Sequence, residues 1–279
     1  MGDVGVKRPG EITVGAQTLR IVRQGAGFAG IIVGRAAEPV TGATDSEVEA
    51  KLRKMVAQDH PDFIGMDGAR ARFLRVFRQG FSDTDYIGDG KSGERHYKAE
   101  ASRWLNEALP LADACDRSEA AALALRAINK TNMIAAMTKP RLADVLRGPK
   151  GNRYVAIAAD FANGDLRSAS EAFVREFKAD GVASWPCLTY LPFLWAPDRH
   201  MFLKPTFTRA FAERIGHSFQ HDYVSEPNPD TYRSLLDMTA MLRIDLADLA
   251  PADNIDLHSF MWVVMDGYYV EKDAAPDEA

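Results

Sequence analysis

Residues 11–35 read Glu11-Ile12-Thr13-Val14-Gly15-Ala16-Gln17-Thr18-Leu19-Arg20-Ile21-Val22-Arg23-Gln24-Gly25-Ala26-Gly27-Phe28-Ala29-Gly30-Ile31-Ile32-Val33-Gly34-Arg35. Short β-branched runs broken by Gly25-Ala26-Gly27 predict an antiparallel hairpin or a three-stranded meander. A sheet this small is not stable alone and must lay one face on something else. The covering element follows at once. Thr44-Asp45-Ser46-Glu47 is a helix-start signal, and Val48, Leu52, Met55 and Val56 give that helix an apolar stripe. The N-terminal unit, residues 1–66, is therefore β-β-α.

Downstream the period changes to that of helices. Residues 67–79 place Phe73, Val76 and Phe77 at helical spacing among Arg70, Arg72, Arg75 and Arg78, an amphipathic helix with a basic rim. A Gly- and Asp-rich loop spans 82–93. A helix begins at Glu94-Arg95-His96-Tyr97-Lys98 and runs past Trp104. Ser118 is placed to cap an alanine-rich helix over 119–128, and a short helix over 139–146 follows. Gly148-Pro149-Lys150-Gly151 is the strongest break signal inside the chain and the best candidate for an internal boundary. Beyond it, 154–161 is either a strand or a buried helix, 170–178 and 232–249 are helical, and 255–264 closes the fold as a strand or a turn of helix. Residues 185–197 hold three prolines and two tryptophans, a poor composition for a regular helix or a central strand. The reading is α+β: a small N-terminal antiparallel β element, a mainly helical body over 67–272, and a disordered tail over 273–279.

At 279 residues the chain is long enough to build a full core without staples. Cys115 and Cys187 lack the spacing of a metal or redox pair and read as free thiols of a reducing compartment. The polar N-terminus resembles no signal peptide, and no stretch reaches the roughly 18 apolar residues of a membrane span, so a cytoplasmic location is expected. The net charge of −5 conceals an asymmetry. Residues 1–150 carry 23 Lys and Arg against 19 Asp and Glu, while residues 151–279 carry 11 against 20. The N-terminal half is thus the better suited to phosphate, although a solvated mixed-charge surface accounts for the same numbers.

No Walker loop, Gly-x-Ser-x-Gly elbow, His-Glu-x-x-His helix or Gly-x-Gly-x-x-Gly fingerprint is present; the 88–93 stretch Gly-Asp-Gly-Lys-Ser-Gly only imitates a phosphate loop in composition. His217 and His221 have the i, i+4 spacing of metal ligands but no third partner, so neither metal nor cofactor is expected. Lys204, between Leu203 and Pro205, is either a partly desolvated amine or a stem lying over apolar surface. Asp256 stands in an otherwise apolar run, where a carboxylate is costly unless it is hydrogen-bonded or functional; capping of a C-terminal helix competes with a catalytic role. Asp160, after Ala158-Ala159, is the second carboxylate on the same argument.

A further pattern is carried by Gly80-Phe81, Tyr86, Glu94-Arg95, Tyr97-Lys98, Trp185-Pro186, Thr189 and Pro192-Phe193-Leu194. It continues through His200-Met201-Phe202-Leu203-Lys204-Pro205-Thr206, Pro227-Asn228, Tyr232, Ile255-Asp256, Ser259-Phe260 and Trp262-Val263. Together these cover most of residues 70–265, and the whole resembles the bacterial anti-phage DNA glycosylases that remove glucosylated hydroxymethylcytosine from viral DNA. The helix-hairpin-helix signature of several base-excision enzymes is absent near 142–151. The resemblance implies an enzyme that acts on double-stranded DNA, extrudes a nucleotide and leaves an abasic site. Such chemistry needs an aromatic pocket, a carboxylate and cationic contacts to phosphate. The residues suited to those tasks are Asp256, Asp160 and His200 for catalysis, Trp185, Tyr190, Trp195, Tyr223 and Trp262 for the base, and Arg95, Lys98, Lys139, Arg141 and Lys204 for phosphate. Aromatic residues serve the core more often than a pocket. Two other readings remain open: a non-enzymatic module of a defence system that recognises DNA or a partner, and a small-molecule enzyme with its pocket at the proline-rich segment.

Overall fold

The computed structural model describes residues 10–14, 17–59, 61–88 and 93–265. The chain is α+β. Four strands, β1 (Glu11–Val14), β2 (Gln17–Gln24), β3 (Gly27–Ile32) and β4 (Val40–Gly42), form an antiparallel meander in sequence order. Three strands at most were expected. The fourth has only three residues, too few for a period-2 signal, and pairs Phe28 with Gly42 and Gly30 with Val40. Helix α1 (Asp45–Gln58) lies on one face of the sheet, burying Val48 and Leu52 with Val14, Leu19, Ile21 and Ile32. Gly30 makes the close approach possible, because a Cβ there would stand 2.7 Å from side-chain carbons of both Val48 and Leu52. The start of α1 is capped as its sequence predicts: the Thr44 hydroxyl accepts from the Glu47 amide, and the Glu47 carboxylate accepts from the Ala43 amide.

A second, much larger core begins at Ile64 and unites all the remaining helices. These are α2 (Gly65–Val76), α3 (Thr84–Ile87), α4 (His96–Ala108), α5 (Ala120–Asn129), α6 (Lys139–Arg147), α7 (Gly151–Ala162), α8 (Leu166–Phe177), α9 (Trp185–Trp195), α10 (Pro205–Ile215), α11 (Phe219–Asp222), α12 (Pro229–Asp245) and α13 (Asn254–Met265). The segment over 154–161 is thus resolved as a helix, and so is 255–264. The Gly148–Gly151 break is a tight turn and not a boundary: α5, α6 and α7 pack on one another across it, and a Cβ on Gly151 would meet Ala121 Cβ at 2.8 Å. Ser118 does not cap α5, because its hydroxyl turns to the Glu119 carboxylate. The 273–279 tail and most of the 88–93 imitation loop lie outside the described residues.

The proline-rich segment departs most from expectation. It forms α9, with Pro186 in the first turn, where no amide is required, and Pro192 inside the helix. An interior proline costs a helix about 3 kcal/mol. Here every residue from Cys187 to Trp195 is buried, so the helix is apolar all round and its burial outweighs that cost. It packs against α4 and α7 at the centre of the body. No described helix is long and apolar enough to cross a membrane.

Candidate functional site

The polar chemistry of the body is concentrated where the first turn of α4 meets α13. Asp253 caps α13, accepting from the amides of Ile255 at 2.9 Å and Asp256 at 3.4 Å. The Asp256 side chain turns back into the protein and is only 2% exposed. One of its oxygens accepts from the Tyr86 hydroxyl at 2.5 Å and from the Arg95 guanidinium; the other accepts from the Ala252 amide at 2.7 Å. Arg95 also forks onto both oxygens of Asp253. The cap of α13 is thus Asp253, while Asp256 is the buried, hydrogen-bonded carboxylate its apolar neighbours predict. Burial first, and then the Asp256 charge, push the Tyr86 hydroxyl well above its ordinary value.

One turn along α4, Lys98 is fully enclosed. Its ammonium donates to Glu94 Oε2 at 3.0 Å and to Ser259 Oγ at 2.8 Å, and the Ser259 hydroxyl donates to the Ile255 carbonyl. Burial lowers the Lys98 pKa against the opposing pull of Glu94. The Glu94 side chain lies nearer the surface at 12% exposure. Toward α10 the rim is aromatic: Trp262 packs on Phe207 with ring centroids 5.4 Å apart, and the Lys204 ammonium stands 4.7 Å over the Trp262 ring. Beneath that rim is His258, ringed by Phe193, Phe202 and Phe207, with no hydrogen-bond partner for either ring nitrogen among the described residues.

His258 has a measurable consequence. Burial first, then the charges of Lys98 and Lys204, hold its pKa well below the ordinary 6.5. Between the two values the unfolded chain binds a proton that the folded chain refuses, so stability is complete above about pH 6.5 and falls as pH drops below it. His200, His217 and His221 are shifted in the same direction by burial. His258→Leu should raise stability by about 1 kcal/mol at pH 7.5, because an unsatisfied buried group is removed. The gain should grow at pH 5. Urea unfolding midpoints at the two pH values measure both effects.

The other sequence-derived residues are dispersed. Asp160 is exposed on α7, not held against apolar walls, and its charge acts on Cys115 and Arg153. His200 is a satisfied core histidine between Tyr232 Oη at 3.2 Å and the Ala162 carbonyl at 2.9 Å. Trp185, Tyr190 and Trp195 are buried in α9, with their polar tips bonded to the Val224, Ala127 and Leu109 carbonyls. Tyr223 packs beside Phe219 under Arg209, and Trp262 keeps a partly open ring on the rim. Of the expected phosphate contacts, Arg95 and Lys98 face inward onto carboxylates. Lys139 donates to the Thr131 carbonyl, Arg141 is exposed, and Lys204 covers Trp262. His217 and His221 do not share a helix, since α10 stops at Gly216 in the left-handed conformation (φ 77°) and α11 is a separate single turn. Among the described residues no cluster of three or more His, Cys, Asp or Glu is placed to hold a metal ion.

A cavity of about 960 Å³ opens elsewhere, between α1 and the body, lined by Arg53, Lys54, Arg70, Asp67, His217 and Asp245 among others. It reaches the C-terminal end of α10, whereas Lys204 and Phe207 stand at the other end, about 16 Å away along the helix. Three basic side chains line it against four acidic ones, and Arg53 and Arg70 are already paired with Glu49 and Asp248. The α4/α13 cluster has the more specific chemistry.

No family model, curated protein or solved structure matches this chain. The geometry of the cluster therefore carries the functional argument. Glu94, absent from the residues first singled out for catalysis, joins it. The i, i+4 spacing of Glu94 and Lys98 was the available signal.

Proposed function

We propose that the protein is a DNA N-glycosylase that excises a modified cytosine, the glucosylated hydroxymethyl form found in phage DNA, and leaves abasic sites as a step of anti-phage defence. One observation supports this above others. Segments of the resemblance some 160 residues apart, Glu94-Arg95 with Lys98 and Asp256 with Ser259, come together in a single cluster of carboxylates and cations, and Trp262 follows one turn beyond Ser259 on the same helix.

The chemistry follows from that placement. Breaking the bond between C1′ and the base sends its electron pair to the leaving base and positive charge to the sugar, so a carboxylate beside C1′ stabilises the transition state. That carboxylate also takes a proton from the attacking water. Glu94 is the group assigned this task, since its carboxylate is oriented by Lys98 and is more open than Asp256, whereas the Asp253 carboxylate is taken up by Arg95 and by the cap of α13. Asp256 acts as a positioning residue: it is held by three donors and fixes Arg95 and Tyr86 against α13. Trp262 and Phe207 offer the extruded base a stacking face, with Lys204 beside them for phosphate or a sugar hydroxyl.

The test uses three duplexes carrying cytosine, hydroxymethylcytosine or its α-glucosylated form, with abasic sites scored by alkaline strand cleavage. Cleavage confined to the glucosylated duplex is the expected result. Binding without cleavage in all three would replace the enzyme by a recognition module.

A further inference from the structure

His258 is only 3% exposed, and among the described residues both of its ring nitrogens are bare. The other orphaned side-chain atoms described are single: one hydroxyl each on Ser170 and Thr208, and one guanidinium nitrogen each on Arg53 and Arg72. A ring with two unmet polar atoms works against folding, and an apolar side chain would fill the same place at no such cost. A buried polar group kept at the expense of stability calls for a role.

Its surroundings indicate which one. His258 and Trp262 stand four residues apart on α13 and so share a face. Phe207 of α10 packs on both, with centroids 5.7 Å from His258 and 5.4 Å from Trp262. Phe207, Trp262 and Lys204 are all partly exposed, so on this side the imidazole lies one ring beneath the surface. Ser259, the next residue, holds Lys98 and ties the position to the α4/α13 cluster. Burial and the charges of Lys98 and Lys204 keep the ring neutral, with one N–H donor and one bare acceptor nitrogen. The other walls, Phe193 and Phe202, are hydrocarbon. An ionised phosphate oxygen has no proton for the acceptor nitrogen, and a cationic ligand is repelled by the two ammoniums. A neutral sugar fits: its hydroxyls both donate and accept, and its C–H faces lie against aromatic rings.

We propose that His258 determines specificity for the glucosyl group, which enters between Phe207 and Trp262 and pairs its hydroxyls with the two ring nitrogens. This rests on the glycosylase reading for its substrate, and its test does not need turnover. Binding is measured by fluorescence anisotropy on duplexes carrying hydroxymethylcytosine or its α-glucosylated form. The wild type should prefer the glucosylated duplex by at least about tenfold, because the orphaned nitrogens gain partners only there. His258→Leu should reduce that preference to less than about twofold while its urea midpoint rises, a combination that a loss of folding cannot produce. His258→Gln, which keeps a donor and an acceptor, should retain most of the preference. In the wild type, the ¹⁵N resonances of the His258 ring, identified by their absence from His258→Gln, should move with the glucosylated duplex alone. Equal binding of the two duplexes by the wild type, an unchanged preference in His258→Leu, or ring resonances indifferent to the sugar would refute the subsite. A preference lost in His258→Leu without any cleavage of glucosylated DNA would leave the sugar subsite standing and remove the glycosylase chemistry. Cleavage confined to glucosylated DNA with a preference indifferent to His258 would do the reverse.

Discussion

Asp256→Asn should be among the most destabilising single substitutions in this protein, lowering unfolding free energy by about 3 kcal/mol. The asparagine keeps the volume and one acceptor, yet Arg95 loses a buried counter-charge and Tyr86 loses a charged acceptor for its hydroxyl. Removing one partner of a buried pair usually costs about 3–5 kcal/mol, and the lower end applies because Arg95 retains Asp253. The melting temperature should fall by roughly 6–10 °C. Asp253→Asn is the internal control. Its side chain is on the rim, asparagine caps a helix as well as aspartate does, and the loss should stay within about 1 kcal/mol. Equal melting of the two variants would show that the Asp256 pairing carries no special share of stability.

Glu94→Gln should abolish excision almost completely, by about 1,000-fold under single-turnover conditions. The substitution preserves shape and removes the charge that, in the proposed reaction, stabilises the sugar cation and accepts the proton of water. It also strips Lys98 of its counter-ion, although burial already lowers the pKa of that amine and lets it shed its proton when the partner is gone. The stability cost should therefore be about 1–2 kcal/mol, too little to unfold a domain of ordinary stability. Circular dichroism in the assay buffer reports the folded fraction. Should excision fall only in proportion to that fraction, Glu94 is not the working carboxylate.

The fold was largely written in local patterns. The β-branched runs between Glu11 and Val33, the capping signal at Thr44, and the helical spacing of Phe73, Val76 and Phe77 all depend on neighbours within a few residues, and those elements form. Where a tertiary term dominated, local reading failed. Pro192 vetoes a helix locally, but complete burial of 187–195 restores it. Gly151 reads as a break because it closes the Gly148-Pro149-Lys150-Gly151 cluster, whereas its hydrogen atom serves as room for Ala121. The site was half legible for the same reason. Suspicion of Asp256 required only its apolar neighbours, and it is indeed buried and bonded. That Arg95 spends its charge on Asp253 and Asp256 instead of on phosphate could not be read from the first half of the chain, because α13 lies about 160 residues away; the Glu94–Lys98 pair, by contrast, was legible in its spacing. The buried positions of Trp185, Tyr190 and Trp195 were likewise hidden in an element that the sequence did not declare to be a helix.

The division of apolar contacts into two cores also determines how the molecule comes apart. Six buried residues hold the sheet to α1, while the body's cluster runs from α2 to α13, and the two meet where α1 approaches α10. A unit that small has little stability of its own. Its strands will therefore open in excursions that leave the helices closed, and β1 to β3 will exchange amide hydrogens orders of magnitude faster than α7, α9 or α13. Mild heat or urea should thus produce a species with a melted N-terminus and an intact helical body, making the meander a separable attachment and not a foundation of the fold.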